Sequence, residues 1–254
     1  MELLRSKAAR TRVSEIFYIV FNALLPVALL FLVRGFDPPY LAIALVLLSK
    51  WRIFALRPRF WWANIKANLV DMLVGVSVVG LMYLASSELV VQLVIMLGYG
   101  AWLLAIKPRS GPHGIMVQAG TAQFLSLIVL FSFSTLFNEF VVVLACGLVG
   151  YVAARHMISN YEEPYVELWA TLWALFVAEL AWLLFRWTTV YNLGLPVVIP
   201  QIALIMLVVG FCVARLYHSA KEDRLSQSML RGTLLFGTLL LAVILLFSPW
   251  DVTI

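Results

Sequence analysis

A single carboxylate stands near the middle of the long apolar stretch from Tyr165 to Trp187. This stretch is long enough to cross a bilayer as one helix, since about 20 apolar residues suffice. An ionisable side chain at bilayer depth costs roughly 2.5–3.5 kcal/mol, so it generally has a partner, a water-filled cavity or a function. Two interpretations of Glu179 remain open: a proton- or cation-binding carboxylate facing the bundle interior, or a protonated acid that hydrogen-bonds between helices.

Glu179 needs a partner other than the nearest cation in sequence. Arg186 lies seven residues on, about 10 Å of helical rise, so the two side chains share a face without touching. Arg186 can instead extend to the headgroups. Gln123 is the first candidate partner, and Glu179 with Gln123 forms the predicted intramembrane polar site. The other candidates are tryptophan N–H groups, those of Trp169, Trp173 or Trp182.

Charged side chains also gather between the sixth and seventh apolar segments, at Arg155, His156, Glu163 and Glu167. A metal site needs several His or carboxylate groups at helical spacing, and only Glu163 and Glu167 have that spacing, with His156 nearby. We therefore expect an interfacial salt-bridge cluster and no metal site. Across the turn, Arg155 could meet Glu162, or His156 could meet Glu163.

The segment from residue 50 to 66 interleaves cations with aromatic rings. Such a pattern can bind single-stranded nucleic acid, but between two membrane spans it is typical of an interface anchor. We expect it to contact anionic lipid headgroups or a partner protein. Asp71, five residues after Lys66, is expected at the inner interface, solvated or paired with that lysine. The predicted contact residues are Lys50, Arg52, Arg57, Arg59, Trp61, Trp62 and Lys66.

Motifs of catalysis or cofactor binding are missing from the sequence. We find no phosphate-binding glycine loop, no nucleophile elbow and no zinc-protease motif, so we expect neither enzymatic activity nor a cofactor. The two cysteines, Cys146 and Cys212, lie far apart inside apolar segments, which is typical of packing residues.

Composition places the chain in the membrane. Of its 254 residues, 63% are hydrophobic and 12% are charged, against roughly 25% charged in a soluble domain. We predict one all-α transmembrane domain over residues 1–254, a helical bundle in the plasma or inner membrane. The net charge of +5 does not indicate nucleic acid, because the basic residues lie in short loops between apolar segments.

Proline, glycine and charge punctuation divide the chain into nine predicted spans. With the N-terminus in the cytoplasm and the C-terminus outside, all 18 Lys and Arg residues except Arg34 and Arg186 fall on the cytoplasmic side. This asymmetry is the positive-inside signal. The predicted spans are about 16–34, 39–56, 68–86, 88–106, 115–136, 139–158, 165–187, 195–217 and 229–248.

A repeat is visible at an offset of 60 residues. Gly150, Ala154 and Arg155 in the sixth span correspond to Gly210, Ala214 and Arg215 in the eighth, and we predict helical hairpins at 115–163 and 165–223 related by duplication. The glycine–alanine pairs are expected to pack helix against helix.

Two functions remain open. The first is a small transporter, channel-like or lipid-handling protein, in which Glu179 faces a polar cavity. The second is a non-catalytic membrane subunit or scaffold with a dry interior and an exposed groove of small or aromatic residues. Its partners would be the lipid bilayer and either a second copy of the chain or another membrane protein.

Overall fold

The structure is a computed structural model that describes residues 2–51, 57–187, 189–192 and 194–248, with side chains from Phe17 onward. Helices make up most of the described chain, so the predicted all-α class is confirmed. A two-residue antiparallel ladder, β1 (Val190–Tyr191) with β2 (Ile199–Pro200), lies between the seventh and eighth helices. The helices are α1 (Glu2–Gly35), α2 (Tyr40–Leu48), α3 (Trp61–Leu84), α4 (Leu89–Ala101, continued by a π-helical segment, Trp102–Ile106), α5 (Pro112–Ser132), α6 (Glu139–Ile158), α7 (Val166–Arg186), α8 (Gln201–Lys221) and α9 (Gln227–Leu246).

Eight of the helices in the described ranges, all except α2, are long and apolar enough to cross a membrane. The prediction of a full-length second span over 39–56 is wrong for the part described, because α2 has only nine residues, about 13 Å of rise. The helix ends where the Ser49 hydroxyl donates to the Val46 carbonyl and Lys50 turns inward. Residues 52–56, the remainder of that predicted span, lie outside the described residues.

The bundle has two ends that differ in charge. One end is called the basic end: α3, α5, α7 and α9 begin there, and α4, α6 and α8 finish there. At this end, Lys66 of α3 pairs with Glu167 of α7 at 3.3 Å. At the opposite end, the Tyr83 hydroxyl donates to Asp37, 2.8 Å away, and Arg186 pairs with Glu139. Of the cations whose side chains are described, all except Arg34 and Arg186 belong to the basic end.

The chain returns along the bundle between α1 and α3. Both helices finish at the opposite end, as the bond from Tyr83 to Asp37 requires, while α3 begins at the basic end. The segment between them must therefore run back, and α2 forms the first part of this return. It brings Lys50 level with Asp71, which lies ten residues, about 15 Å, along α3 from Trp61.

Two apolar cores fill the bundle. The first joins α1 to α4 around Leu29, Val46 and Val74, and the second joins α5 to α8 around Leu127 and Met206. Between them, Ser77 of α3 and Ser126 of α5 share a buried hydrogen bond of 2.9 Å. An interhelical hydroxyl pair of this kind satisfies both polar groups where no water is present.

Small residues let α6 and α7 pack closely. A Cβ atom added to Gly150 would lie 2.7 Å from Cγ2 of Val177, and one added to Gly147 would lie 3.2 Å from Cβ of Ala178. Glycine is therefore required for this helix separation. The predicted helix packing at Gly150 is what the structure has, whereas its counterpart Gly210 has a different environment, described below.

Candidate functional site

An apolar groove lies between α7 and α8, with α5 and α6 as its floor. Its volume is about 730 Å³, within the range of roughly 300–1,000 Å³ that small-molecule sites have. Small residues of three helices give it room: Gly120 of α5, Ala154 of α6, and Gly210 and Ala214 of α8. Gly210 and Ala214, which were predicted to pack helix on helix, both line the groove. A Cβ added to Gly210 would make an ordinary van der Waals contact with Trp173 of α7, 3.8 Å away, without the overlap that Gly150 shows.

The groove runs along the half of the bundle nearest the basic end. On α5 it extends from His113 to Phe124, and on α8 from Met206 to Tyr217. Each stretch covers eleven residues of rise, about 17 Å. This length is close to half of the roughly 30 Å hydrocarbon core of a bilayer.

The groove is open at the side of the bundle. On its rim, Trp169 and Leu172 of α7 are 49% and 48% exposed, and Leu207 and Phe211 of α8 are 43% and 42% exposed. An opening lined by such side chains faces the position of the lipid tails in a membrane-embedded helix bundle.

Few polar side chains line the groove, and two of them bind each other. The Trp173 indole N–H donates to the Gln123 side-chain oxygen, 2.9 Å away. At the basic end of the groove, the rings of His113 and His218 lie 5.3 Å apart, and the Tyr161 hydroxyl shares a 2.9 Å hydrogen bond with Nδ1 of His218. The groove is thus apolar along its length and polar at one mouth.

Beside the polar end of the groove, an ion pair and a hydrogen bond join the loop before α7 to α8. Glu163, which precedes α7, accepts hydrogen bonds from the Lys221 ammonium and the Tyr217 hydroxyl, both of α8. These bonds hold the pKa of the Glu163 carboxyl below its usual range, with the Lys221 hydrogen bond as the main cause. The expected pairing of His156 with Glu163 is therefore wrong, because Glu163 binds α8 instead.

Glu179 does not lie in this site. It is on the exposed face of α7 and forms no hydrogen bond or ion pair with any described residue. Its predicted partner Gln123 is buried and accepts from Trp173. The structure therefore separates the two residues of the predicted polar site. Of the two interpretations of Glu179, the carboxylate that faces the bundle interior does not match its exposed position.

The interfacial charges form a cluster centred on Glu167. Its carboxylate pairs with Arg155 at 3.1 Å and with Lys66 at 3.3 Å, and it accepts from the Tyr151 hydroxyl. Arg155 thus pairs with Glu167 rather than with Glu162. His156 instead shares a 3.0 Å hydrogen bond with Gln118 of α5. The predicted four-residue cluster is therefore divided among three networks, since Glu163 binds Lys221 and Tyr217.

A buried ion cluster lies at the basic end of the first core. The Asp71 carboxylate of α3 is 3.3 Å from the Lys50 ammonium and 2.8 Å from that of Lys107. Lys50 is only 8% exposed. The Tyr99 hydroxyl, buried one helical turn away against Gly75, has no hydrogen-bond partner among the described residues. Asp71 was expected to be solvated or paired with Lys66, so its pairing differs from the prediction.

The predicted contact segment is only partly a surface. Lys50 is buried with Asp71, whereas Trp62 is 67% exposed and stacks beneath the Lys66 ammonium, 5.6 Å from its ring centre. The Arg59 guanidinium lies 4.6 Å from the centre of the Phe60 ring. Arg57 is exposed and Trp61 is partly buried, while Arg52 lies outside the described residues.

Among the described residues, no group of three or more His, Cys, Asp or Glu side chains is arranged to hold a metal ion. Comparisons with protein-family models, curated proteins and solved structures gave no match. Function must therefore be inferred from the geometry of the chain itself.

Sequence reasoning missed the groove and the buried ion cluster. The groove walls are apolar residues on helices that are apolar all round, so no pattern distinguishes them from core or lipid-facing positions. The ion cluster joins residues 50, 71 and 107, which no sequence spacing connects. A usable signal was the pair of small residues in α8, Gly210 and Ala214, since such pairs mark places without bulky side chains.

Proposed function

We propose that the protein is a multi-pass membrane protein that binds a lipid, or a similar long apolar molecule, in the groove between α7 and α8. The observation that carries this proposal is an apolar groove one leaflet long that opens sideways between exposed rim residues. Bound there, a hydrocarbon chain lies against Phe124 and Met206, and its polar head is level with His113 and Tyr217 at the basic end. The proposed activity is lipid handling without covalent chemistry.

The alternative is a non-catalytic subunit whose groove receives a helix of a partner protein. Its small residues favour that occupant, since close helix contacts in membranes use Gly and Ala. The length favours the lipid, because the groove extends for about 17 Å, whereas a membrane-spanning helix needs a contact surface of about 30 Å.

A groove-filling variant tests the lipid proposal. Gly120 lines the groove, and a Cβ added there meets nothing within 4 Å, so Gly120→Phe should occupy the groove without displacing the backbone. We expect a phospholipid with a diazirine in its acyl chain, placed in nanodiscs with the wild-type protein, to label groove residues such as Phe124 and Met206 strongly. In Gly120→Phe, the labelling of these groove residues should fall to the level found for residues on the exposed face of α9.

Gly98→Phe is the matched control. Gly98 is also helical, a Cβ added there also meets nothing within 4 Å, and it lies on the exposed side of α4 away from the groove. This variant should label as the wild type does. Equal labelling of the groove and of α9 in the wild type would contradict the proposal, as would groove labelling that Gly120→Phe leaves unchanged.

We further propose that the basic end faces the cytoplasm of a plasma or inner membrane and that the chain makes nine passes, with α2 in the second. The charge asymmetry between the two ends supports this orientation. The chain must return between α1 and α3, which adds one pass to the eight long helices and supports the total of nine. An odd number of passes leaves the N- and C-termini on opposite sides.

Cysteine labelling tests the orientation. Glu88→Cys lies in the exposed turn between α3 and α4 at the opposite end, and Ser110→Cys lies in the exposed loop after α4 at the basic end. In intact cells, a membrane-impermeant maleimide should react with Glu88→Cys and not with Ser110→Cys. The native cysteines, Cys146 and Cys212, are both buried, so the reaction of the wild-type protein with the maleimide gives the background signal. The reverse reactivity would place the basic end outside.

A further inference from the structure

Glu179 belongs to a continuous stripe on the outer face of α7. The stripe consists of exposed residues separated alternately by four and three positions: Leu168, Leu172, Leu175, Glu179, Trp182 and Arg186. Alternation of four and three is the spacing of a coiled-coil seam, in which each side chain inserts between residues of a facing helix. The stripe spans eighteen residues of rise, about 27 Å, which is nearly the thickness of the hydrocarbon core.

The stripe carries polar groups that lack partners in the described chain. Neither the Glu179 carboxylate nor the Trp182 indole N–H forms a hydrogen bond with any described residue. Glu179 lies seven residues, about 10 Å, from the end of α7 at Arg186, which places it well inside the apolar zone. Intramembrane carboxylates almost always face a protein partner or a water-filled cavity rather than lipid tails.

We infer that this stripe is the interface of a parallel homodimer, in which α7 of one copy packs along α7 of a second copy. A two-fold axis along the membrane normal brings the same face of both copies together and sets each seam position opposite itself. Glu179 then lies beside Glu179 and Trp182 of the second copy. The indole N–H donates to the carboxyl oxygen across the interface.

A second copy fits this face better than an unrelated helix, because the stripe contains both the donor and the acceptor of the proposed hydrogen bond between the copies. It offers an acceptor at Glu179 and a donor at Trp182, three residues apart on one seam, and the apolar residues on either side are exposed. A single polar residue at a seam position fixes the register of a coiled coil. The opposite flank of α7 already packs against α6 through Val177 and Ala181, which are fully buried.

Disulfide cross-linking of variants with one added cysteine tests the dimer, because the two native cysteines, Cys146 and Cys212, are both buried. Leu175→Cys lies on the seam, and Leu239→Cys lies on the exposed face of α9, with 55% and 58% of the native leucines exposed. Under mild oxidation in membranes, Leu175→Cys should give a covalent dimer and Leu239→Cys should remain monomeric. Monomer for both variants, or dimer for Leu239→Cys alone, would overturn the proposal.

Native mass spectrometry of the protein released from nanodiscs tests the role of Glu179. The wild type and Glu179→Gln should be dimeric, because the amide keeps a donor and an acceptor at the seam, and Glu179→Leu should be mainly monomeric. Glu179 is exposed in one copy, so these variants leave the fold of the monomer intact. A monomeric wild type, a Glu179→Leu protein as dimeric as the wild type, or a different polypeptide bound at fixed stoichiometry would each refute the homodimer.

Discussion

Replacing Asp71 with asparagine is expected to lower the free energy of unfolding by about 3–5 kcal/mol, the cost typical of removing one partner from a buried ion pair. The variant leaves the ammonium groups of Lys50 and Lys107 close together with no carboxylate between them. Most of the cost arises at Lys50, which is 8% exposed, since Lys107 is 26% exposed and partly solvated. Thermal unfolding in detergent, followed by the loss of helical circular dichroism, measures the change.

Asp223→Asn is the matched control for this substitution. Asp223 is exposed in the turn after α8, and its positive φ of 54° is one that asparagine tolerates. The control should unfold as the wild type does. Replacing Asp71 together with its more buried partner, Lys50→Met with Asp71→Leu, should recover part of the loss, because the only cation of the cluster then left without the carboxylate is Lys107, which is 26% exposed and partly solvated. Equal stability of Asp71→Asn and Asp223→Asn would show that the ion cluster contributes little.

Gly150→Leu is expected to separate α6 from α7 and to lower the free energy of unfolding by about 1–3 kcal/mol or more, the range for overpacking a filled core. A Cβ at this position would already lie 2.7 Å from Cγ2 of Val177, and Val177 is fully buried with no space to move into. The thermal unfolding measurement is the same. Gly98→Leu, on an exposed helix face with open space around the glycine, is the control and should have a much smaller effect.

A compensating pair distinguishes steric overlap from a general effect of losing glycine. Gly150→Ala adds the overlapping Cβ, and Val177→Ala removes the methyl groups that it meets. The double variant should be more stable than the sum of the two single effects predicts, since contacting residues couple in such cycles. Strict additivity would mean that the α6–α7 separation does not depend on this contact.

The apolar segments and the charge asymmetry followed from the sequence because both are local properties. A run of about 20 apolar residues forms a membrane-length helix whatever its neighbours are, and eight of the nine predicted spans correspond to such helices in the described chain. The exception, 39–56, has apolar composition over enough residues but gives only the nine residues of α2. Its helix ends at a tertiary contact, the inward turn of Lys50 toward Asp71, which composition does not encode.

Which face of each helix points inward was decided only by the tertiary structure. In a soluble helix, polar residues mark the outer face, but a membrane helix is apolar toward both lipid and protein, so its pattern carries little information on facing. Glu179 was therefore recognised from the sequence as an anomaly, while its position on the exposed stripe of α7 was not. Gly150 and Gly210 have the same local sequence pattern, yet one holds two helices together and the other faces an open groove. The physical reason is that lipid tails and apolar side chains are equivalent surroundings for an apolar residue, and only packing, small residues and polar pairing across helices distinguish one face from another.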